Sequence, residues 1–356
     1  MAAEHQQRRQ RLAAELQRDG LEAALVTNLV NVRYLTGFTG SAGAVVVWVD
    51  GSTEIATDSR YALQVGHECS DVAAHITRAG RSTLTARLAA TGVSMVGFED
   101  RHLSVADWRD LGDDLGWTPL GSTIDQLRML KDGIELALLR EACRASDDAL
   151  AVVLPRIGVG VTEREVARWI DDELRNRAEG PAFDTIVASG VNGAIPHHQP
   201  TDRQIVDGDL VTMDFGARVG GYHADMTRTI AVGQVSDWQR EVYDVVQAAQ
   251  ATGVAALGPG KTAREVDASA RSVIVDAGFG EAFGHGLGHG VGLQIHEAPF
   301  LGATSADKLQ ASVPVTVEPG IYLPERGGVR IEDTVVVHAD HVERLTTTTR
   351  DLLVVG

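Results

Sequence analysis

The amino-acid sequence predicts two domains, an α/β domain at the N-terminus and a larger α+β domain after it. The chain has 356 residues, and domains usually contain roughly 100 to 200 residues, so the length favours two domains or one large one. Hydrophobic residues make up 44% and charged residues 23% of the chain, which is enough apolar material for sizeable cores. The order of helical and strand-like segments changes near Asp125. We therefore predict domains over residues 1–125 and 126–356.

Helical and strand-like segments alternate in the first domain, as is typical of an α/β fold. Leu12, Leu16 and Leu21 recur at helical spacing and predict an amphipathic first helix. Short apolar runs rich in β-branched residues predict strands over 23–27, 44–49, 53–58 and 95–99.

The second domain combines a few long helices with several strand-like runs. A helix is predicted to begin near Gly133, and a hydroxyl followed three residues later by Glu or Gln predicts helix starts of the capping-box type at Thr162, Ser236 and Thr262. The predicted strands cover 184–188, 209–217, 222–232, 313–322, 328–338 and 351–355. Short glycine turns join many of them, which favours a largely antiparallel sheet.

Charge and cysteine content exclude several classes of function. The net charge of −17 repels phosphate backbones and anionic lipids, so nucleic acids and membrane surfaces are poor partners. Cys69 and Cys143 are too few for a disulfide framework or a thiolate zinc site. The first residues lack the apolar core of a signal peptide, and no apolar run approaches the roughly 18 residues of a membrane span. These features predict a cytoplasmic protein.

Two aspartates flank a predicted hairpin in the segment 210–230. Strand-like runs lie on both sides of Val219, Gly220 and Gly221, a pattern typical of a hairpin. If the turn is centred between Val219 and Gly220, Asp214 and Asp225 face each other directly. Like charges in that position, about 5 Å apart, destabilise a hairpin unless a cation lies between them or one is protonated. A bound cation is the simplest remedy.

A second acidic pair has the same arrangement near the C-terminus. Glu318 and Glu332 lie on two strand-like runs, and their midpoint, residue 325, falls inside the turn formed by residues 324–327. The two glutamates are therefore predicted to meet across this hairpin. Two such pairs would supply four carboxylates, which is enough to hold two divalent ions.

Histidines add a nitrogen donor to this set. Glycine occupies every second position from 284 to 292, so in a continuous strand His285 and His289 would point to the opposite face. His296 has the other parity and would lie elsewhere in the site unless a bulge or turn intervenes. A glycine repeat is also typical of tight packing. The loop PHHQP at 196–200 contributes His197. One imidazole with four carboxylates suits Mn, Co, Fe or Zn better than Ca or Mg.

These motifs resemble the proline-directed branch of the pita-bread metallopeptidases, namely prolidase (Xaa-Pro dipeptidase) and aminopeptidase P. The segments NVRYLTGFTG at 31–40 and TDSRY at 57–61 are similar to the creatinase-type N-terminal domain, and LRMLK at 127–131 is similar to the interdomain segment. The resemblance covers nearly the whole chain. It implies a pita-bread catalytic domain preceded by a smaller α/β creatinase-type domain.

The resemblance also implies a role for each site residue. It implies two divalent ions and a bridging hydroxide. Mn is the first choice of metal, and Co, Zn and Fe remain open. Catalytic roles fall to His197, His296 and the proton shuttle Glu318, while His285 and Arg330 contact substrate or support the ligands. The implied metal ligands are Asp214, Asp225, His289, Glu318 and Glu332. His223 and Ala224 depart from the small residue and Ser of many relatives.

The resemblance implies an exopeptidase that hydrolyses the Xaa-Pro bond in small peptides. It also leads us to expect a homodimer. Dipeptidase activity is favoured because the chain has little extra sequence for a longer substrate, and aminopeptidase P activity is the alternative. A non-catalytic binding protein of the same fold would be expected to have lost ligands. All five ligand positions carry the expected residue.

Overall fold

The computed structural model describes residues 2–356, which form two compact units that divide between Arg128 and Met129. Across the described residues, no helix is both long enough and apolar enough to pass through a bilayer.

The first unit is built on a six-stranded mixed sheet. Its strand order is β4-β3-β2-β1-β5-β6, with β2 antiparallel to β1 and β3 and the other neighbours parallel. Leu12 and Leu16 are buried on the first helix, as their spacing predicts, whereas Leu21 follows the end of that helix. The elements are α1 (Ala2–Arg18), β1 (Ala23–Val26), α2 (Leu29–Thr36), β2 (Ala44–Trp48), β3 (Thr53–Thr57), α3 (Ala62–Glu68), β4 (Ala73–Ile76), α4 (Gly80–Thr91), β5 (Met95–Phe98), α5 (Val105–Arg109), β6 (Gly116–Pro119) and α6 (Thr123–Met129), which crosses the division.

Four helices of the second unit surround its strands. The elements are α7 (Gly133–Val153), α8 (Glu163–Arg177), β7 (Ile186–Ser189), β8 (Leu210–Phe215), β9 (Arg218–Val219), β10 (Tyr222–His223), β11 (Met226–Val232), α9 (Asp237–Ala256), α10 (Ala263–Asp276), β12 (Gly288–Gly290), β13 (Glu297–Leu301), β14 (Val313–Val317), β15 (Gly320–Leu323), β16 (Gly327–Arg330), β17 (Asp333–Val337), β18 (Val342–Arg344) and β19 (Val354–Val355).

Two antiparallel sheets, each covered by a pair of helices, form the body of this unit. The four-stranded sheet has the order β19-β11-β8-β7, and α7 and α8 pack on it through apolar residues such as Ala149 and Ile170. The five-stranded sheet has the order β13-β12-β14-β17-β18, and α9 and α10 cover it with residues such as Val246 and Ala270. Among the described strands of the second unit, only β19 pairs in parallel with its neighbour. The predicted α+β architecture is confirmed.

The predicted helix starts are also confirmed. The amide of Glu165 donates to Thr162 Oγ1 at 3.2 Å, and the amide of Thr162 donates back to the Glu165 carboxylate at 2.9 Å. Helices α9 and α10 begin with the equivalent pairs. Each box satisfies amide groups that have no partner within the helix. Helix α7 begins at Gly133, and its apolar residues at helical spacing are buried, namely Leu136, Leu139, Ala142, Ala145 and Ala149.

The first acidic hairpin has a different register from the predicted one. Gly220 and Gly221, with φ of 56° and 80°, form the two-residue turn, because a hairpin turn of this length needs positive φ at its central residues. The ladder then pairs Asp214 with Thr227, so the prediction that Asp214 directly faces Asp225 is wrong. The shift is two residues, and side chains alternate with period two. Asp225 therefore stays on the same face as Asp214, diagonally across the ladder.

The second acidic hairpin has the predicted register. Val317 pairs with Asp333, and Gly320 pairs with Arg330. Both pairs share a midpoint at residue 325, so the same register places Glu318 opposite Glu332 in the gap between the two ladders. The two glutamates meet where one sheet gives way to the short hairpin β15–β16.

The alternating glycines suggested one continuous strand, but the glycine-rich segment does not form one. Only Gly288–Gly290 is a strand, and a bulge lies between His289 and Gly290. A Cβ atom on Gly288 would lie 2.1 Å from the Thr316 carbonyl oxygen, and one on Gly290 would lie 2.3 Å from that of Ala298. These glycines therefore admit the backbones of the two flanking strands, which agrees with the packing interpretation of the repeat.

Glu163, the first residue of α8, connects this helix to both ends of the histidine loop. Its buried carboxylate accepts hydrogen bonds from Ser189, Asn192 and His198 at 2.7 to 2.9 Å and from Thr201 at 2.6 and 3.0 Å. Burial opposes ionisation, but these hydrogen bonds lower the pKa of Glu163 to about 2. The ionised carboxylate therefore organises the loop that carries His197.

We predict that Glu163→Gln destabilises the protein by roughly 2 to 4 kcal/mol at pH 7, because the amide cannot accept all of these bonds. The native pKa lies below the ordinary value of 4.5, so the ionised form contributes stability above that value and loses it as the pH falls toward 2. The free energy of unfolding in urea, measured at pH 7 and at low pH, should show a difference from wild type that shrinks on acidification. Glu241→Gln, on the exposed face of α9, is the control and should leave stability unchanged. An equal loss in both variants would contradict the prediction.

Candidate metal centre and active site

All the side chains that the sequence singled out as site residues line one cavity of about 1100 Å³ in the second unit. The five predicted ligands each reach it from a different strand or strand end. The five predicted ligands are Asp214 on β8, Asp225 before β11, His289 on β12, Glu318 after β14 and Glu332 before β17. The other predicted residues on its wall are His197, His285, His296 and Arg330.

Three of the predicted ligands approach each other closely enough to bind one ion. One donor atom from each of Asp225, His289 and Glu332 lies within 4.8 Å of the others. His289 Nε2 is 3.6 Å from Asp225 Oδ2 and 3.3 Å from Glu318 Oε1. Imidazole nitrogen and carboxylate oxygen together are a donor set for a first-row divalent metal.

The His289 ring is oriented as a metal ligand requires. Its Nδ1 is 3.1 Å from the Gly290 carbonyl oxygen, and a carbonyl can only accept, so the neutral ring carries its proton on Nδ1. Nε2 is then left with a free electron pair directed at the carboxylates. A backbone carbonyl on the remote nitrogen is a usual way to fix a ligating histidine.

Two buried carboxylate oxygens of the cluster have no hydrogen-bond partner, as is expected where a cation binds. Asp214 Oδ1 and Glu332 Oε1 are orphaned, although their sister oxygens are bonded, to Arg330 Nη2 and to the Thr227 hydroxyl, each at 2.7 Å. An unsatisfied buried acceptor costs free energy. Divalent cations would supply the missing partners, so the residues fit the metal that the sequence implied.

Burial and mutual repulsion perturb the acidity of the four carboxyl groups. Burial, followed by the charges of neighbouring carboxylates, raises the pKa of Asp225 and Glu332 well above the ordinary range. Burial also raises the pKa of Asp214. Glu318 behaves differently in the metal-free protein, because the hydrogen bond and charge of a protonated His289 outweigh its burial and lower its pKa to about 2. The cluster therefore lacks positive charge, which bound cations would provide.

Arg330 is the one guanidinium on the cavity wall, and every nitrogen of its head is engaged. Besides Asp214, it donates through Nη1 to Tyr322 Oη at 2.9 Å and to the Pro196 carbonyl at 3.3 Å, and through Nε to Thr227 Oγ1 at 3.0 Å. It thus connects an acidic hairpin to the histidine loop. Arg330 thus lies beside Asp214, one of the predicted ligands.

The remaining histidines lie at different depths in the cavity. His285 Nε2 is 2.9 Å from Tyr322 Oη, and its Nδ1 is 2.8 Å from the Gly286 carbonyl. His296 is exposed, and its ring centre is 4.3 Å from that of His289. The bend over residues 292–296 returns His296 to the site. It is the turn that the opposite strand parity of His296 required. His197 is exposed on the loop.

Some residues of the site were not predicted. Tyr322 lies two residues past Gly320 on the Glu318 face, a placement that strand parity could have revealed. Thr227, opposite Asp214, could have been found once the turn was placed correctly. Ile195 and Phe300, on the apolar wall, carry no signal in the sequence that separates them from core residues. His223, one of the departures from the family pattern, has its amide and its Nδ1 each 2.9 Å from the Gly292 carbonyl.

Comparison with known proteins places the chain in a family. Residues 8–130 match the Creatinase/Prolidase N-terminal domain, and residues 137–339 match Metallopeptidase family M24. A Xaa-Pro dipeptidase of Pyrococcus furiosus is 36% identical over 356 residues, covering 98% of this chain and 99% of that protein.

Solved structures give the same result. An Xaa-Pro dipeptidase from Bacillus anthracis has a TM-score of 0.94 at 37% identity, covering 98% of this chain and 99% of that one. An X-Pro aminopeptidase from Thermotoga maritima MSB8 has a TM-score of 0.88 at 34% identity, covering 94% and 98%. The chain belongs to metallopeptidase family M24, with a creatinase/prolidase N-terminal domain followed by a pita-bread catalytic domain.

Proposed function

We propose that this protein is a metal-dependent exopeptidase that hydrolyses the Xaa-Pro peptide bond with two divalent ions. The observation that carries the proposal is the pair of orphaned carboxylate oxygens, on Asp214 and Glu332, in the same cluster as Nε2 of His289. Relatives of similar length that are named Xaa-Pro dipeptidase and X-Pro aminopeptidase support the choice of bond.

The five predicted ligands would hold the ions, namely Asp214, Asp225, His289, Glu318 and Glu332. When bound, two divalent ions supply a water of lowered pKa, bridging as hydroxide, and polarise the scissile carbonyl. Mn is the metal we expect, and Co, Zn and Fe suit the same donors.

The side chains around the ligands would handle protons and charge. Glu318 would accept the proton of the attacking water and deliver it to the proline nitrogen. His296 would donate a hydrogen bond to the oxygen of the former carbonyl as negative charge develops there. His197, on the exposed loop, would orient the substrate.

Arg330, Tyr322 and His285 would support these groups. The guanidinium holds one oxygen of Asp214 and leaves the other free for an ion. The chain of hydrogen bonds from Arg330 through Tyr322 to His285 fixes the wall next to Glu318.

The proposal includes both substrate lengths known for relatives, a dipeptide for a dipeptidase and a longer peptide for an aminopeptidase P. A binding protein without activity is less well supported, because no ligand position has been lost. We expect a cytoplasmic homodimer, as the sequence and its family resemblance imply.

Replacing one predicted ligand should separate metal binding from folding. Asp225→Asn should lower metal content and reduce hydrolysis of alanyl-proline and alanyl-prolinamide by at least about 100-fold, since even residues behind the ligands contribute 10- to 100-fold. The metal-free variant should unfold at the same or a higher temperature than metal-free wild type, because a buried repulsive carboxylate has been removed. Elemental analysis, peptide hydrolysis and calorimetry measure the three effects. Asp244→Asn, on the exposed side of α9, is the control, and full activity in Asp225→Asn would refute the ligand assignment.

Metal binding should release protons and weaken as the pH falls. The raised pKa of Asp225 and Glu332 means that the metal-free protein holds protons on these groups that an ion must displace. Titration calorimetry of metal-free protein with Mn²⁺, in buffers of different ionisation enthalpy, counts the protons released. Mn²⁺ at about 100 times its Kd should also stabilise the fold by about 2.7 kcal/mol. Binding that releases no protons at neutral or lower pH would contradict this acidity.

A further inference from the structure

The charges on the cavity wall bear on which substrate the site accepts. Six carboxylates face the cavity, namely Asp184, Asp214, Asp225, Glu281, Glu318 and Glu332, whereas its lining residues include no lysine and Arg330 as the one arginine. Two divalent ions would bring four positive charges and Arg330 a fifth, so the lining would still be acidic. Asp184 and Glu281 are exposed and lie outside the proposed ligand set.

Arg330 is not available to bind a substrate carboxylate. Its three nitrogens already donate to Asp214, Tyr322, Pro196 and Thr227. The other side-chain donors on the wall are the Tyr322 hydroxyl, the Gln199 amide and imidazoles. The described lining thus offers no free lysine or arginine for an anionic end of a substrate.

A Xaa-Pro dipeptide would bring its negative charge very close to the reacting atoms. The C-terminal carboxyl carbon is two bonds from the proline nitrogen, which is a distance of about 2.5 Å. In a peptide that continues past proline, the same position holds a neutral amide. The two kinds of substrate therefore differ by one charge beside a cluster of buried carboxylates, where charges interact more strongly than in bulk water.

Phe300 gives the cavity an apolar wall beside His289. It is the direct partner of His289 across the β12–β13 ladder, and 53% of its surface is exposed. Its neighbours Pro299 and Leu301 are buried, so the alternation along β13 directs Phe300 toward the cavity that it lines. An aromatic ring in this position suits an uncharged peptide segment better than a carboxylate.

We infer that the preferred substrates are peptides that extend beyond proline, with the residue after proline amide-linked and lying near Phe300. This inference rests on the proposed function and selects its longer substrate class. It departs from the dipeptide preference suggested by the compact chain, because the charge at the site, and not the amount of sequence, decides whether a free carboxylate is accepted.

The test compares substrates that differ in this one charge. The full-length enzyme loaded with Mn²⁺ is assayed with alanyl-proline, alanyl-prolinamide and alanyl-prolyl-alanine. We expect kcat/KM for the amide and the tripeptide to exceed that for the dipeptide by at least about tenfold. A dipeptide cleaved as fast as the amide or faster overturns the inference and leaves the proposed function intact. No hydrolysis of any of the three, with Mn²⁺ or Co²⁺, refutes the proposed function itself and the inference with it.

A single substitution provides a second test. Phe300→Arg places a guanidinium on the cavity wall, and we expect it to narrow or reverse the ratio of kcat/KM between amide and dipeptide by about tenfold. The matched control is Val159→Arg, which adds the same charge at an exposed apolar residue outside the cavity lining and should leave the ratio unchanged. An unchanged ratio in Phe300→Arg, or an equal change in both variants, contradicts the placement of Phe300.

Discussion

Electrostatic repulsion among four carboxylates, three of them buried and Glu318 partly buried, is the constraint on which the rest of the catalytic unit depends. Asp214, Asp225, Glu318 and Glu332 are held together in one cavity, and burial, followed by the charges of neighbouring carboxylates, raises the pKa of Asp214, Asp225 and Glu332. A fold tolerates such a cluster only if positive charge or protonation offsets part of the repulsion. Arg330 supplies some of it, and the two orphaned oxygens show where more is needed.

The two acidic pairs are brought together by hydrogen bonds between the sheets that carry them. The Glu332 amide donates to the Thr227 carbonyl at 3.1 Å, and the Thr229 hydroxyl donates to the Arg330 carbonyl at 2.9 Å. Arg228 forms a buried ion pair with Asp333 at 2.7 Å. Strand β11 is therefore attached along its length to the strands around Glu332. This attachment gives the site a rigid base, which preorganised catalysis requires.

Glycine serves the site indirectly. The close approach of Gly288 and Gly290 to the neighbouring strands keeps β12 between β13 and β14, and this position points His289 at the carboxylates. The bulge after His289 and the bend that follows return His296 to the cavity. A residue without a side chain thus sets the position of two imidazoles.

The sequence by itself determined the elements and most of the site chemistry, because these depend on local pattern. Nearby residues determine three features. They are capping pairs such as Thr162 and Glu165, the spacing of the buried residues along α7, and the hairpin register that places Glu318 opposite Glu332. Only the tertiary structure decided the register around Gly220 and Gly221, since a one-residue difference in turn centre moves the pairing by two. It also decided which oxygens lack partners, that Arg330 is fully engaged and that Phe300 faces the cavity, because each depends on contacts between strands far apart in the chain.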